Sequence, residues 1–321
     1  GARRGNKVDP NAATAMLDRI PFRHDDVTSI TSPLFHAWGL AQMILASTLG
    51  STIALTTTFD AKATLAQIER EQVTVLVVVP AILQRLLASP SLDDTDLSSL
   101  RIVASSGSAL PVPVVEEWLE RVGPNLYNLY GSTEVGQATL ATPDDLLDSP
   151  ATAGRVMAGS TVAILDSNGE PVPSGDIGRI FVGNGAQFDG YTGGGGKEVL
   201  DGLMSSGDVG YLRDDGLLFV TGRADDMIVS GGENVFPQEI EDLLLSHPSI
   251  DDVAVVGVDD DRLGQRLAVY AVKAKGARLS EAAAKKFVSE RLARHKTPRD
   301  VHFIDEIPRT ATGKIRRDQL A

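Results

Sequence analysis

At 321 residues, 42% hydrophobic and 23% charged, the chain has the make-up of an ordinary globular protein, with room for more than one domain. A net charge of −13 argues against nucleic acid and anionic membrane surfaces as partners, since both select for a basic face. The absence of cysteine excludes disulfides, thiolate metal sites and a cysteine nucleophile, so any thioester chemistry must use a thiol brought by a substrate.

The first apolar stretch, Leu40–Leu55, is broken by Gln42, Ser47, Thr48, Gly50 and Ser51. It falls short of the roughly 18–20 residues of a spanning helix. With no signal peptide visible, a cytoplasmic protein is expected. Val75–Val79 is almost wholly β-branched, as a strand buried on both faces should be, and Pro80 opens a predicted helix over Ala81–Ala88. Leu100–Ala104 repeats the pattern, runs into Ser105-Ser106-Gly107-Ser108, and gives way to a helix from Pro111 through Leu119. Strand, glycine-bearing turn and helix in alternation predict an α/β fold with ligands at the carboxyl ends of the strands. From about Gly159 the texture changes to hairpin signals. Val162–Leu165 ends in Asp166-Ser167-Asn168-Gly169, and Gly178–Val182 follows, predicting a small antiparallel sheet or barrel. Gly193–Gly196 reads as a surface loop; no strand precedes it and no helix-capping Lys-Ser/Thr follows, so it does not read as a phosphate cradle. The last hundred residues predict a separate α+β unit, with a helix at Ile240–Leu245, strands at Val253–Val258 and Leu267–Lys273, and an amphipathic helix over Glu281–Leu292.

Several polar clusters could carry chemistry. Thr133 and Glu134, on a turn opened by Gly131, combine a neutral hydroxyl donor with an acidic oxygen suited to a metal; a plain polar turn at a strand end fits those residues equally well. Asp208 after Ser206-Gly207, and Arg223 after Thr221-Gly222, could accept from and donate to one sugar, although turn capping would explain Asp208 alone. His36 stands among the aromatics of Pro33-Leu34-Phe35-His36-Ala37-Trp38, where a satisfied core histidine is the ordinary alternative. Lys314 lies almost at the C-terminus, where most lysines are solvated. No zinc-type ligand spacing and no nucleophile-elbow serine are present.

Taken in order, Asn128-Leu129-Tyr130-Gly131-Ser132-Thr133-Glu134, Ser206-Gly207-Asp208, Thr221-Gly222-Arg223, Gly231-Gly232-Glu233-Asn234-Val235-Phe236-Pro237 and Pro308-Arg309-Thr310-Ala311-Thr312-Gly313-Lys314-Ile315 resemble the adenylate-forming superfamily, the acyl-CoA synthetases and their relatives. The resemblance spans essentially the whole chain. It implies a carboxylic acid activated by ATP to an acyl-adenylate, then passed to coenzyme A, with Mg²⁺ on the phosphates and AMP released. A fatty acid is the expected acid. An aryl-acid ligase, a ligase loading a carrier protein, and a non-catalytic adenylate- or partner-binding fragment are the alternatives. By the same resemblance Tyr130 stacks on adenine, with Gly131, Ser132, Ser106, Gly107 and Ser108 lining the nucleotide. Thr133 touches the α-phosphate and Glu134 holds Mg²⁺. Asp208 and Arg223 take the ribose, Asp225 is the hinge, and Gly231 and Gly232 border the thiol channel. His36 flanks the carboxylate pocket. Lys314 supplies the charge for adenylation, and Gly313 gives its loop freedom to arrive. Two departures are Ser206, where the family has Thr, and Leu203, where it has an aromatic.

The resemblance further implies an adenylation domain over residues 1–224, α/β to 158 and β-rich from 159, and a mobile C-terminal domain over 225–321. The chain opens at Gly1-Ala2-Arg3-Arg4, about where the family's phosphate loop ends, so part of a longer ligase is expected, with possible self-association through the surface thereby exposed.

Overall fold

The computed structural model describes residues 2–3, 10–310 and 313–320. Of the residues singled out above, Gly1, Arg4, Ala311 and Thr312 lie outside them. The chain divides into two units, one formed by 1–206 with 210–220 and the other by 207–209 with 221–321.

The first unit begins with β1 (Ala2–Arg3), α1 (Pro10–Leu17), β2 (Val27–Ile30), α2 (Ala37–Leu49) and β3 (Thr52–Leu55). It continues through α3 (Ala61–Glu71), β4 (Val75–Val78), α4 (Pro80–Leu87), β5 (Ile102–Ser105), α5 (Val112–Arg121) and β6 (Leu126–Ser132). Then come β7 (Gly136–Ala141), α6 (Pro143–Asp148), β8 (Gly154–Val156), β9 (Thr161–Leu165), β10 (Gly178–Gly183), β11 (Gly190–Tyr191), β12 (Val199–Leu200), β13 (Leu203–Leu212) and β14 (Leu217–Arg223).

Twelve strands form one sheet in the order β3-β2-β4-β5-β6-β7-β8-β14-β13-β10-β9, with β12 beside β13. The first five are parallel. The hairpin from β6 to β7 turns the sheet antiparallel, and β8, β14, β10 and β9 keep that sense. The strands after Gly159 are antiparallel as expected, but they are hydrogen-bonded into the parallel half rather than closed into a sheet or barrel of their own. The join is β14 on β8, where Leu218 faces Gly154.

The parallel strands are buried on both faces. Leu76, Val78, Val103 and Leu126 pack under α3, α4 and α5, whereas Val75, Val77, Ile102, Ala104 and Leu129 pack under α1 and α2. At roughly 1.5–3 kcal/mol for each large side chain taken from water, these two layers dominate the unit's stability. Asp60 caps α3 by accepting from the Ala63 amide, Pro80 sits in the first turn of α4, and Thr142 with Asp145 forms a reciprocal capping box on α6. Both tryptophans belong to this unit. Trp118 is buried and donates to Asn125 Oδ1 at 2.9 Å, and Trp38 donates to the Val78 carbonyl at 2.9 Å.

The second unit contains β15 (Ile228–Ser230), β16 (Glu233–Val235), α7 (Pro237–Leu245), β17 (Ile250–Asp260), β18 (Gly264–Lys273), α8 (Glu281–Ser289) and β19 (Asp300–Phe303). Its sheet has the order β16-β15-β18-β17, with β19 parallel to β18. Ile240 and Leu244 of α7, Ala284 and Val288 of α8, and Val253, Val255, Leu267 and Val269 of the long hairpin make its core. No helix among the described residues is long and apolar enough to cross a membrane.

Candidate active site

The ladder sets which residues meet. Ile30 pairs with Val77, Val78 with Ser105, and Ser105 with Asn128, so β2, β4, β5 and β6 end at one edge. Strand β2 lies between β3 and β4. The chain order therefore reverses there, which makes this edge the topological switch point where open α/β sheets bind ligands. Cross-strand bonds tie the emerging segments together. Thr31 Oγ1 donates to the Val77 carbonyl at 2.7 Å and Ser106 Oγ donates to the Leu129 carbonyl at 2.9 Å. Two buried hydroxyls in these segments, Ser32 Oγ and Ser105 Oγ, have no hydrogen-bond partner among the described residues. Orphaned buried hydroxyls cost about 1–3 kcal/mol each and are polar contacts a ligand can complete.

Ser106, Gly107 and Ser108 follow β5 at this edge, and Tyr130 to Glu134 form the end of β6 and its turn into β7. Gly131 is dictated by packing: a Cβ there would lie 2.2 Å from the Gly136 carbonyl oxygen. Ser132 Oγ accepts from the amides of Glu134 at 3.2 Å and Val135 at 3.3 Å, which fixes the turn. Thr133 is exposed and Glu134 half-buried. Burial pushes the Glu134 carboxyl upward. Its own backbone amide, the Ser132 and Tyr191 hydroxyls and the Lys197 charge outweigh that and hold it below the usual carboxylate range. Tyr191 donates to Glu134 Oε1 at 3.1 Å.

Tyr191 and Lys197 were not among the residues singled out from sequence. The available signal was an aromatic two residues ahead of the Gly193–Gly196 run, with a lysine directly after it. That run is exposed, and its turn is closed by the Tyr191 amide on the Gly195 carbonyl at 3.1 Å. His36 stands at the N-cap of α2 without capping it, its ring 4.6 Å from that of Phe35.

The remaining candidates lie in the second unit. Arg223 reaches Asp208 Oδ1 and Asp225 Oδ2, each at 3.3 Å. Burial works against the Arg223 charge, but Asp208 and Asp225 more than offset it, and the guanidinium is held above its ordinary pKa. Gly231 and Gly232, at φ +63° and +86°, make the two-residue turn between β15 and β16. Lys314 is exposed; its amide donates to Thr310 Oγ1 at 3.1 Å and its carbonyl accepts from the Thr310 amide at 2.8 Å. Gly313 has a φ of +82°, a conformation that glycine adopts without strain. Tyr130, Thr133, Glu134, Ser106 and His36 thus belong to the first unit, and Asp208, Arg223, Asp225 and Lys314 to the second.

No group of three or more His, Asp or Glu side chains that could hold a metal occurs among the described residues. A single ionised carboxylate beside hydroxyl groups does fit Mg²⁺, which is ordinarily held by one or two carboxylates plus substrate phosphates. The two orphaned hydroxyls at these strand ends fit a polar ligand.

Residues 9–192 match the sequence profile of AMP-binding enzymes, and residues 239–314 that of the AMP-binding enzyme C-terminal domain. The chain belongs to the AMP-binding enzyme family. Among its relatives is the indoleacetate–CoA ligase of Aromatoleum aromaticum, 38% identical over 313 residues covering 96% of this chain and 61% of that protein. The feruloyl-CoA synthase of an Amycolatopsis species is 35% identical over 301 residues, covering 92% of this chain and 61% of its own. Among solved structures, the amide bond synthetase McbA from Marinactinospora thermotolerans superposes with a TM-score of 0.88 at 29% identity, over 97% of this chain and 65% of McbA. The AMP-binding chain therefore spans about three-fifths of the length of these curated relatives.

Proposed function

We propose that this protein is the AMP-binding and C-terminal part of an AMP-forming acid–CoA ligase, and that its acid is an aryl acid rather than a fatty acid. The observation that carries the ligase reading is the strand-end cluster. Ser106 is bonded to the β6 backbone beside Tyr130, and Glu134 is kept ionised next to Thr133 on the following turn. The aryl preference rests on relatives named for indoleacetate and ferulate, both of them acids carried on an aromatic ring.

In this reading a carboxylate oxygen attacks the α-phosphorus of ATP and pyrophosphate leaves; the CoA thiol then displaces AMP. Tyr130 and the Ser106–Ser108 turn orient the adenine and Thr133 donates to the α-phosphate. Glu134 would hold a Mg²⁺ ion, which would neutralise charge on the phosphate oxygens. Asp208 and Arg223 position the ribose, and Asp225 is the hinge at which the second unit turns between the two half-reactions. Lys314 supplies positive charge to the forming acyl-phosphate bond, where electrostatic stabilisation counts most. Gly231 and Gly232 let the pantetheine thiol approach close to the backbone, and His36 flanks the acid.

The test is formation of acyl-CoA and AMP from ATP, Mg²⁺ and CoA. Indole-3-acetate and ferulate are run against a graded series of fatty acids, with Lys314→Ala as control. Product from the aryl acids that disappears in the control is expected. Preference for fatty acids overturns the substrate class, and turnover unchanged by Lys314→Ala overturns the role of that lysine. An amine acceptor run beside CoA separates a thioester-forming enzyme from one that makes amides, as McbA's name describes.

A further inference from the structure

The segment that carries Lys314 is tied to the body of the second unit on both sides of the lysine. Ahead of it, Arg309 makes a two-point ion pair with Asp252, Nη2 to Oδ1 at 2.7 Å and Nε to Oδ2 at 3.3 Å. The third nitrogen of the same guanidinium, Nη1, donates to the Gly313 carbonyl at 2.7 Å, one residue before Lys314. Arg309 and Ile315 form an antiparallel bridge, and the Arg316 amide closes on the Pro308 carbonyl at 2.8 Å. Behind the lysine, Arg317 Nη2 reaches Glu241 of α7 at 3.0 Å, and Glu241 also accepts from the Val255 amide at 2.8 Å. Both carboxylates are anchored in regular structure. Asp252 stands at the irregularity where β17 shifts register against β18, between Ile250 and Asp252, a device that re-aims a side chain out of the alternating pattern.

The planar guanidinium explains why arginine is used here. It spends two donors on one carboxylate and a third on the backbone of the turn, which a lysine ammonium cannot reproduce in one plane. About three-quarters of each partner's side-chain surface is covered, both being 24% exposed, so the pair is screened less than a surface pair.

We infer that Arg309 and Asp252 are positioning residues for the adenylation half-reaction, holding the Lys314 turn as a rigid part of the second unit. The inference rests on the role proposed for Lys314 above. It predicts a separation that a merely structural role would not give. Loosening the clamp slows the step in which Lys314 acts and spares the step in which it does not.

The experiment compares wild type with Arg309→Ala, Asp252→Ala, Arg309→Lys and Lys314→Ala, using two readouts. Amide hydrogen exchange of the peptide containing Gly313 and Lys314 reports the clamp without requiring turnover. Acid-dependent ATP–pyrophosphate exchange reports adenylation, and thioester formation from a synthetic acyl-adenylate and CoA reports the second step. Arg309→Ala and Asp252→Ala should accelerate hydrogen exchange in that peptide. They should also lower adenylation roughly tenfold to a hundredfold, the scale of a small misplacement. The second step should stay within about twofold, since no contact made there is changed. Arg309→Lys should fall between them and wild type.

Unchanged hydrogen exchange in Arg309→Ala overturns the clamp, whatever the activity. Faster hydrogen exchange with wild-type adenylation, in a background where Lys314→Ala abolishes it, overturns the positioning role alone. Wild-type adenylation in Lys314→Ala overturns the proposed role of the lysine and with it the positioning role. If Arg309→Ala does not fold, Arg309→Lys and Asp252→Asn carry the same comparison.

Discussion

Glu134 holds its charge in a half-buried place because its donors outweigh the cost of leaving water, and the Tyr191 hydroxyl at 3.1 Å is one of them. A carboxyl whose pKa is lowered in the fold keeps its charge above that lowered value and loses it as the pH falls through it. Tyr191→Phe removes one donor, so the carboxyl should titrate at higher pH. Adenylation in the variant should then fall off at a higher pH than in the parent on acidification, with a deficit that grows as the pH falls from about 8. A deficit that does not change with pH would mean that Tyr191 acts through packing. The residue pairs were legible in sequence only where they lie close along the chain. Thr133 and Glu134 announce themselves on one turn, whereas Tyr191 is 57 residues from Glu134 and nothing local in either segment encodes the meeting.

The elements that sequence locates best are those whose burial is uniform. The four residues of β4 are fully buried, and a run of β-branched side chains states that directly. The end of α8 shows the opposite case. Its apolar pattern continues to Leu292, which packs on the core, but the helix stops at Ser289 as the last turn tightens, the Arg291 and Leu292 amides both closing on the Val288 carbonyl. The merging of the antiparallel strands into one sheet was hidden for a different reason. It depends on β14 finding β8, a pairing across more than sixty residues that no hairpin signal contains. The turn from β6 to β7 is the element on which the candidate site depends most. Gly131→Ala forces a methyl group against the Gly136 carbonyl oxygen and should cost about 1–3 kcal/mol, as overpacking does. Urea denaturation should show that loss, and thermal melting with AMP should show a smaller ligand shift than the parent gives if the proposed nucleotide site depends on this turn. Retention of both would show that the turn can open without consequence.

The molecule as a whole carries two cores, and its response to pH differs between them. In the second unit, burial first and the neighbouring Glu241 carboxylate second push the Asp242 carboxyl up to about 7. From its ordinary value of 3.8 up to about 7, the folded state keeps a proton that the unfolded chain releases. Stability of the second unit therefore declines as the pH rises across that window and is level above it. Asp242→Asn should abolish that decline, so its melting temperature should exceed the parent's by a few degrees near about pH 8 and by less near about pH 5. A constant gap at both values would place the effect outside this carboxyl. The division into two cores was foreshadowed by the change of texture along the chain. Which carboxyl ends up beneath α7 was not, because Glu239, Glu241 and Asp242 differ in burial only once the helix is docked.

The placement of the aromatic side chains has an optical consequence. Trp38 and Trp118 are the chain's two tryptophans and both lie in the first unit, while the second holds one tyrosine, Tyr270, and no tryptophan. Emission excited at the red edge of the absorption band therefore comes from the first unit alone. Trp38, bonded to the Val78 carbonyl, is also a native reporter at the strand ends where the candidate site lies. A titration with AMP could be read from its intensity without a label, while circular dichroism recorded on the same sample would follow both units together.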